Sequence, residues 1–257
     1  MIKFRKSWSF IILLLCCLLE LSGCHNKPIT LQDSFENGHL ADFWLPGDYG
    51  SGRYEYGAVS ISSRYARSGN SSVGILLKRG FIRQDGGDGH FTERSELDSG
   101  KHFWLNKTIV IKFSILVLED FPIVDNRLVI SQLKQQGISS PIFAQRYIGG
   151  VHFFTVQSME NPDSDTIKFE LPDLVRNKWH DFIFKVYLTE KPSGYIAVWM
   201  DGARVVDYRG KTSLEKGGRD FYHKFGLYRD EWDEPMTLYF DEFLISDDPA
   251  YVDAILN

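Results

Sequence analysis

Phe221-Tyr222-His223-Lys224-Phe225-Gly226-Leu227-Tyr228-Arg229-Asp230 reads as a β-strand whose two faces differ. Phe221, His223, Phe225 and Leu227 share one face, which is mostly apolar. Tyr222, Lys224, Gly226 and Tyr228 share the other. An apolar face on one side only is the pattern of an antiparallel strand packed on a core. Two phenols and an ammonium, with a glycine between them that clears space, suit the floor of a site. On this stretch alone, an ordinary amphipathic strand with its polar face in water is the favoured reading.

Other strands repeat the theme. Phe91 to Leu97 puts Thr92, Arg94 and Glu96 on one face and Phe91, Glu93, Ser95 and Leu97 on the other. A carboxylate beside a guanidinium holds the fork and leaves its other edge for an anionic ligand. Arg127 to Gln136 places Val129 and Leu133 on one parity and Gln132, Lys134 and Gln136 on the other. Lys107 to Leu118 is apolar on both faces and belongs in the middle of a sheet. Ser71 to Lys78, Ile142 to Tyr147, Val151 to Ser158, Ile167 to Leu171, Trp179 to Thr189 and Met236 to Ser246 also read as strands. Tyr195 to Tyr208 is a hairpin turning at Asp201-Gly202. Arg83 to Gly89 reads as a loop. About a dozen strands at regular spacing predict an all-β fold, a two-sheet antiparallel sandwich or jelly roll. If the polar strands are neighbours, Arg94, Glu96, Gln132, Lys134, Tyr222, Lys224 and Tyr228 line one groove.

The N-terminus is expected to stand apart from that domain. Lys3, Arg5 and Lys6 precede an apolar run, Phe10 to Leu19, of signal-peptide length. Leu21-Ser22-Gly23-Cys24 then resembles the lipobox of exported bacterial lipoproteins. That resemblance implies a signal peptide over 1–23, lipidation of Cys24, a tether over 24–32 and a folded domain over 33–257. His25, where an Asp would signal inner-membrane retention, favours the outer membrane under the same family rule. The chain has three cysteines, at 16, 17 and 24, so the folded domain would hold none. Disulfides, a thiolate nucleophile and Cys-ligated metal are then excluded there.

Without residues 1–23 there remain 26 basic and 33 acidic residues, a balance of −7 against −5 for the whole chain. Such a domain is a poor nucleic-acid binder. Gly47, Gly50 and Gly52 follow no strand and open no helix, which argues against a phosphate-cradling loop. Asp85 and Asp88 offer Ca²⁺ only two carboxylates without EF-hand spacing, so no cofactor is expected to be required.

Arg94-Ser95-Glu96-Leu97, Gln132-Leu133-Lys134 and Tyr222-His223-Lys224-Phe225-Gly226-Leu227-Tyr228 together resemble the three ordered motifs of jelly-roll polysaccharide lyases. Alginate lyases of that fold carry R-S/T-E-L, Q-I/V-H and Y-x-K-x-G-x-Y strands. Heparin lyase I-like and glucuronan lyases are similar, and Trp179-His180-Asp181-Phe182 with Val198-Trp199-Met200-Asp201-Gly202 points to their group. The resemblance spans about residues 33 to 247. It implies a concave groove that takes an anionic polysaccharide and cleaves it by β-elimination, with glucuronan-like polymers first and alginate second. One position departs: Lys134 stands where the family has His.

Uronate elimination removes the C5 proton, alpha to a carboxylate, and expels the oxygen at C4. The carboxylate must be neutralised while negative charge develops. Arg94 and Gln132 suit that task, with Lys134 adding charge. Tyr228 suits the acid, and in a syn elimination the base as well, with Lys134 the competing base. Glu96, Lys224, Tyr222, Arg146 and Gln136 are the further substrate-binding candidates, and His90, His152 and His180 are reserve bases. Glu93 and Glu96 have opposite parity, so they cannot be the facing pair of a glycosidase. A glycan-binding lipoprotein without catalysis is the alternative function.

Overall fold

The structure, a computed structural model, describes residues 27–45, 54–82, 84–85, 90–100, 103–137, 140–157, 166–214 and 218–254. Cys24, Asp88 and the side chain of Asp85 lie outside the described residues, and with them the lipidation and Ca²⁺ expectations.

Alternation sorts the described strands into two antiparallel sheets, the architecture the sequence predicts. One sheet runs β14 (Ala203–Arg209), β13 (Tyr195–Met200), β12 (Trp179–Leu188), β7 (Lys107–Val117), β16 (Met236–Ser246), β3 (Ser72–Leu77) and β2 (Val59–Ser62). In that sheet β1 (Thr30–Asp33) also pairs with β16. The other runs β11 (Thr166–Glu170), β10 (Val151–Gln157), β9 (Phe143–Ile148), β8 (Leu128–Gln135), β15 (Asp220–Asp230), β5 (Phe91–Asp98) and β4 (Gln84–Asp85). Here β6 (Phe103–Trp104) extends β15. A single turn of helix, α1 (Pro249–Ala254), follows β16.

The sheets meet over a phenylalanine-rich core. Phe225 of β15 lies 4.5 Å, centroid to centroid, from Phe240 of β16 and meets Trp44 edge-on at 5.3 Å. His223 stands in the same layer, fully buried among Phe113, Phe184, Phe225 and Phe243. Burial pushes its pKa down to about 3, so the ring is neutral, with Nε2 hydrogen-bonded to Ser131 Oγ at 2.9 Å.

Three expectations need correction. Thr30 to Gln32, expected in the tether, already form most of β1, because Ile29 and Leu31 pack on the core. Gln84 and Asp85, expected in a loop, pair with Thr92 and Phe91 as a two-residue edge strand. Val129 does not share the core face with Leu133. The β15–β8 register shifts between Phe225 and Tyr228, and the β8–β9 register between Val129 and Ser131. These bulges turn Val129 out of the core cluster and set it beside Tyr228 and Arg146.

Gly226 sits in the bulged stretch at φ +139°. A Cβ there would lie 2.3 Å from the Ser95 carbonyl oxygen and 2.9 Å from Glu96 Cα. Only glycine lets β15 approach β5 this closely. Its place between Lys224 and Tyr228 is therefore a backbone requirement as well as a clearing in the floor.

Candidate active site

β5, β15 and β8 are neighbours, so the three polar strand faces do combine. Their register arranges the side chains in rows across the sheet. In one row Arg94 stands opposite Tyr228, then come Val129, Arg146, Phe153 and Glu170. A second row runs Asp98, Lys224, Gln132, Ala144, Thr155 and Lys168. Tyr222 faces Lys134 beyond it. Gly226, Ala144 and Val129 keep the floor low between these groups.

Tyr228 is the centre of the first row. The Arg94 guanidinium carbon lies 3.9 Å from its ring centroid, and that of Arg127 lies 5.0 Å away. Two guanidiniums thus lie against one phenol ring, one of them within contact distance of its face. Arg127 is held by an ion pair with Asp230, two residues beyond Tyr228. The Nε of both arginines is buried without a hydrogen-bond acceptor among the described residues.

Glu96 organises the next layer. Gln132 Nε2 donates to its Oε1 at 2.5 Å, and Arg94 Nη1 lies 3.8 Å from its Oε2. The carboxylate therefore fixes both groups that were assigned to the substrate carboxylate. Glu96, expected among the substrate-binding residues, is 1% exposed and lies beneath the groups it holds. The Gln132 amide carries a second N–H beyond the one given to Glu96.

Lys224 is nearly buried and pairs with Asp98 at 3.2 Å. Burial raises the Asp98 carboxyl, and the Lys224 ammonium pulls it back. Lys134 lies above them, half-buried. Burial, then Lys224 and Arg94, lower its ammonium to about 8, with Glu96 opposing. Along β15, Tyr222 and Tyr228 are six residues apart, roughly 20 Å of strand. The backbone of Lys134 thus lies far along the cleft from that of Tyr228, although its long side chain reaches into the field of Arg94.

The reserve bases are elsewhere. His152 is buried, donating from Nδ1 to the Pro172 carbonyl and accepting at Nε2 from Gln145, and burial lowers its pKa to about 4. His180 belongs to the opposite sheet, paired with Asp201 at 2.8 Å. His90 is exposed just before β5. Gln136 falls past the end of β8, where its backbone bonds to Asp220 and Gly218, outside the rows.

Asp98, Arg127 and Trp104 were not anticipated. Asp98 extends the parity of Arg94 and Glu96 by one more step, a signal present in the sequence. Arg127 reaches Tyr228 only through the tertiary pairing with Asp230, which no local pattern reveals. Trp104 faces Asp220 on the neighbouring strand and is 46% exposed, an aromatic surface at the Tyr222 end of the cleft.

A jelly-roll sandwich with a cationic cleft, one arginine-flanked tyrosine and a buried Glu–Gln pair defines a class of carbohydrate-active proteins. Residues 35–244 match the polysaccharide lyase family, and the chain belongs to it. It is thus a lyase acting on polysaccharides. Among solved structures, an endo-β-1,4-glucuronan lyase from the fungus Trichoderma reesei is similar at TM-score 0.63 and 15% identity, covering 87% of this chain and 97% of that one. The alginate lyase AlyC3 in complex with dimannuronate gives 0.52 at 13% identity, covering 74% and 89%. The cellulose-induced protein Cip1 gives 0.56 at 14%, covering 85% and 97%. No curated protein sequence matches the chain.

Proposed function

We propose that this lyase cleaves a uronic-acid polysaccharide by β-elimination, with glucuronan-like polymers favoured and alginate second. The observation that carries the reading is Tyr228 under the guanidiniums of Arg94 and Arg127, in the cleft where Glu96 holds Gln132. Arg94 and Gln132 receive the carboxylate of the sugar to be opened, and Lys134 adds positive charge. Tyr228, as phenolate, takes the C5 proton. The C4–C5 double bond forms, the C4–O bond breaks, and the same proton passes to the leaving oxygen. The glucuronan lyase likeness supports the first choice of polymer and the dimannuronate complex of AlyC3 the second.

The test is the ultraviolet absorbance of the unsaturated uronate on glucuronan, alginate, hyaluronan, chondroitin and heparin. Product from one of them supports the reading. Retention on a polymer in affinity electrophoresis without product from any would replace it with the glycan-binding alternative, for which Lys134 in the family's His position is the specific observation.

The role of Lys134 has its own signature. A cation that neutralises the substrate works while protonated, below about 8, and is lost as pH rises through that value. We expect kcat/KM to fall across that window, and Lys134→Arg to stay active with the fall moved to higher pH. A base works only when deprotonated. Activity that instead rises through pH 8 and vanishes in Lys134→Arg would assign the base to Lys134.

A further inference from the structure

Arg146 has no task in the chemistry above, and among the described residues it forms no ion pair. Lys224 has Asp98, Arg127 has Asp230 and Arg94 has Glu96. Arg146 is half-buried, and its described hydrogen bond is from Nε to Thr155 Oγ1 at 3.1 Å. Among the described residues no carboxylate lies within ion-pair distance of it. Burial lowers its pKa, Arg127 lowers it further, and Tyr228 and Asp230 oppose that, so its head lies in the field of the phenol. A guanidinium fixed at Nε and unpaired at its Nη edge suits a bidentate anion.

Its position says which anion. Tyr228 has Arg94 one strand away on one side and Arg146 two strands away on the other, with the short apolar Val129 between. The two arginine backbones are three strand spacings apart, about 14 Å. Elimination breaks a bond that joins two sugars. The group that protonates the leaving oxygen sits at that bond, so the two flanks of Tyr228 meet the two sugars it joins. Arg94 and Gln132 take the carboxylate of the sugar that loses its proton.

Resting on the lyase reading, we infer that Arg146 receives the carboxylate of the adjoining, departing sugar, and that the cleft therefore selects polymers with uronates at adjacent positions. Glucuronan and alginate have that pattern. Hyaluronan and chondroitin alternate the uronate with an uncharged amino-sugar ring and leave Arg146 unmatched. The residue sets specificity without taking part in proton transfer.

The experiment compares wild type, Arg146→Gln and Arg146→Lys on glucuronan, alginate, hyaluronan and chondroitin, with thermal melts to verify folding. On the preferred homopolyuronate, Arg146→Gln is expected to raise KM roughly 10- to 100-fold, the worth of a hydrogen bond to a charged group, with kcat nearly unchanged. The preference over the alternating polymers should shrink by the same factor, and Arg146→Lys should recover part of it. An unchanged preference, or a loss in kcat at constant KM, overturns the inference. If wild type forms no product, the lyase reading fails separately. Affinity electrophoresis then still decides, since loss of retention in Arg146→Gln confined to homopolyuronates supports the carboxylate site and equal retention rejects it.

Discussion

Tyr228→Phe is expected to lower the rate of unsaturated-uronate formation by roughly 10²–10⁴-fold, the usual worth of a positioned acid–base group. The substitution removes one oxygen and leaves the ring on which Arg94 stacks at 3.9 Å. Arg94, Gln132 and Glu96 keep their contacts, so polymer retention in affinity electrophoresis should be near that of wild type. The loss should therefore appear in kcat, with KM little changed. In a syn elimination the same phenolic oxygen accepts the C5 proton as phenolate and then delivers it, so both proton transfers disappear together. A variant with more than about a tenth of wild-type kcat would remove Tyr228 from the chemistry. The Lys134 pH profile would then become the deciding observation. Arg127→Ala offers a milder comparison, because it removes one of two guanidiniums and keeps the phenol.

Period-two alternation carries most of this architecture, and carries it for a physical reason. One face of each strand must be apolar to enter the sandwich, so Phe221, Phe225 and Leu227 fix the side on which Tyr222, Lys224 and Tyr228 stand. The same logic placed Arg94, Glu96, Gln132 and Lys134 on the cleft side of β5 and β8. It fails where the ladder is irregular. Val129 is read on the parity of Leu133 because alternation does not register the two shifts that change the count. It also fails where a contact depends on chain segments far apart. Arg127 and Asp230 are 103 residues apart, and only the β8–β15 pairing brings Arg127 to Asp230 and so to Tyr228. Glu96 shows a third limit. Parity gives the direction of a side chain but not its depth, and it does not reveal that Glu96 is 1% exposed and hydrogen-bonded to Gln132. The β1 boundary was misplaced for a related reason: four residues are too few to show alternation above the noise of a polar tether.

Arg229→Met is expected to destabilise the protein by about 3–5 kcal/mol, the cost of stranding a buried charge. Arg229 and Glu93 are both 0% exposed on the core side of β15 and β5. Arg229 Nε and Nη2 reach Glu93 Oε2 at 2.9 and 2.8 Å, and its Nη1 and Nη2 donate to the carbonyls of Glu234 at 2.7 Å and Trp232 at 2.8 Å. The substitution leaves the Glu93 carboxylate with the backbone N–H of Gly80 and a long contact from that of Trp232, and it orphans two carbonyls. Adding Glu93→Leu should recover much of the loss, because replacing both charges removes the desolvation penalty that the single variant exposes. Urea unfolding of the two single variants and the double variant measures this directly. A single variant within about 1 kcal/mol of wild type would mean that the pair is relaxed or hydrated in solution. The pair also bears on catalysis through geometry. Arg229 stands opposite Glu93 one residue from where Tyr228 stands opposite Arg94. A one-residue slip of β15 against β5 would turn Tyr228 into the core and Arg229 into the cleft while Arg94 and Glu93 keep their faces, parting both pairs. The ion pair opposes that slip, because only the native register buries both charges together. The double variant should therefore regain stability while its Tyr228–Arg94 alignment, read as kcat on the preferred polymer, recovers less completely.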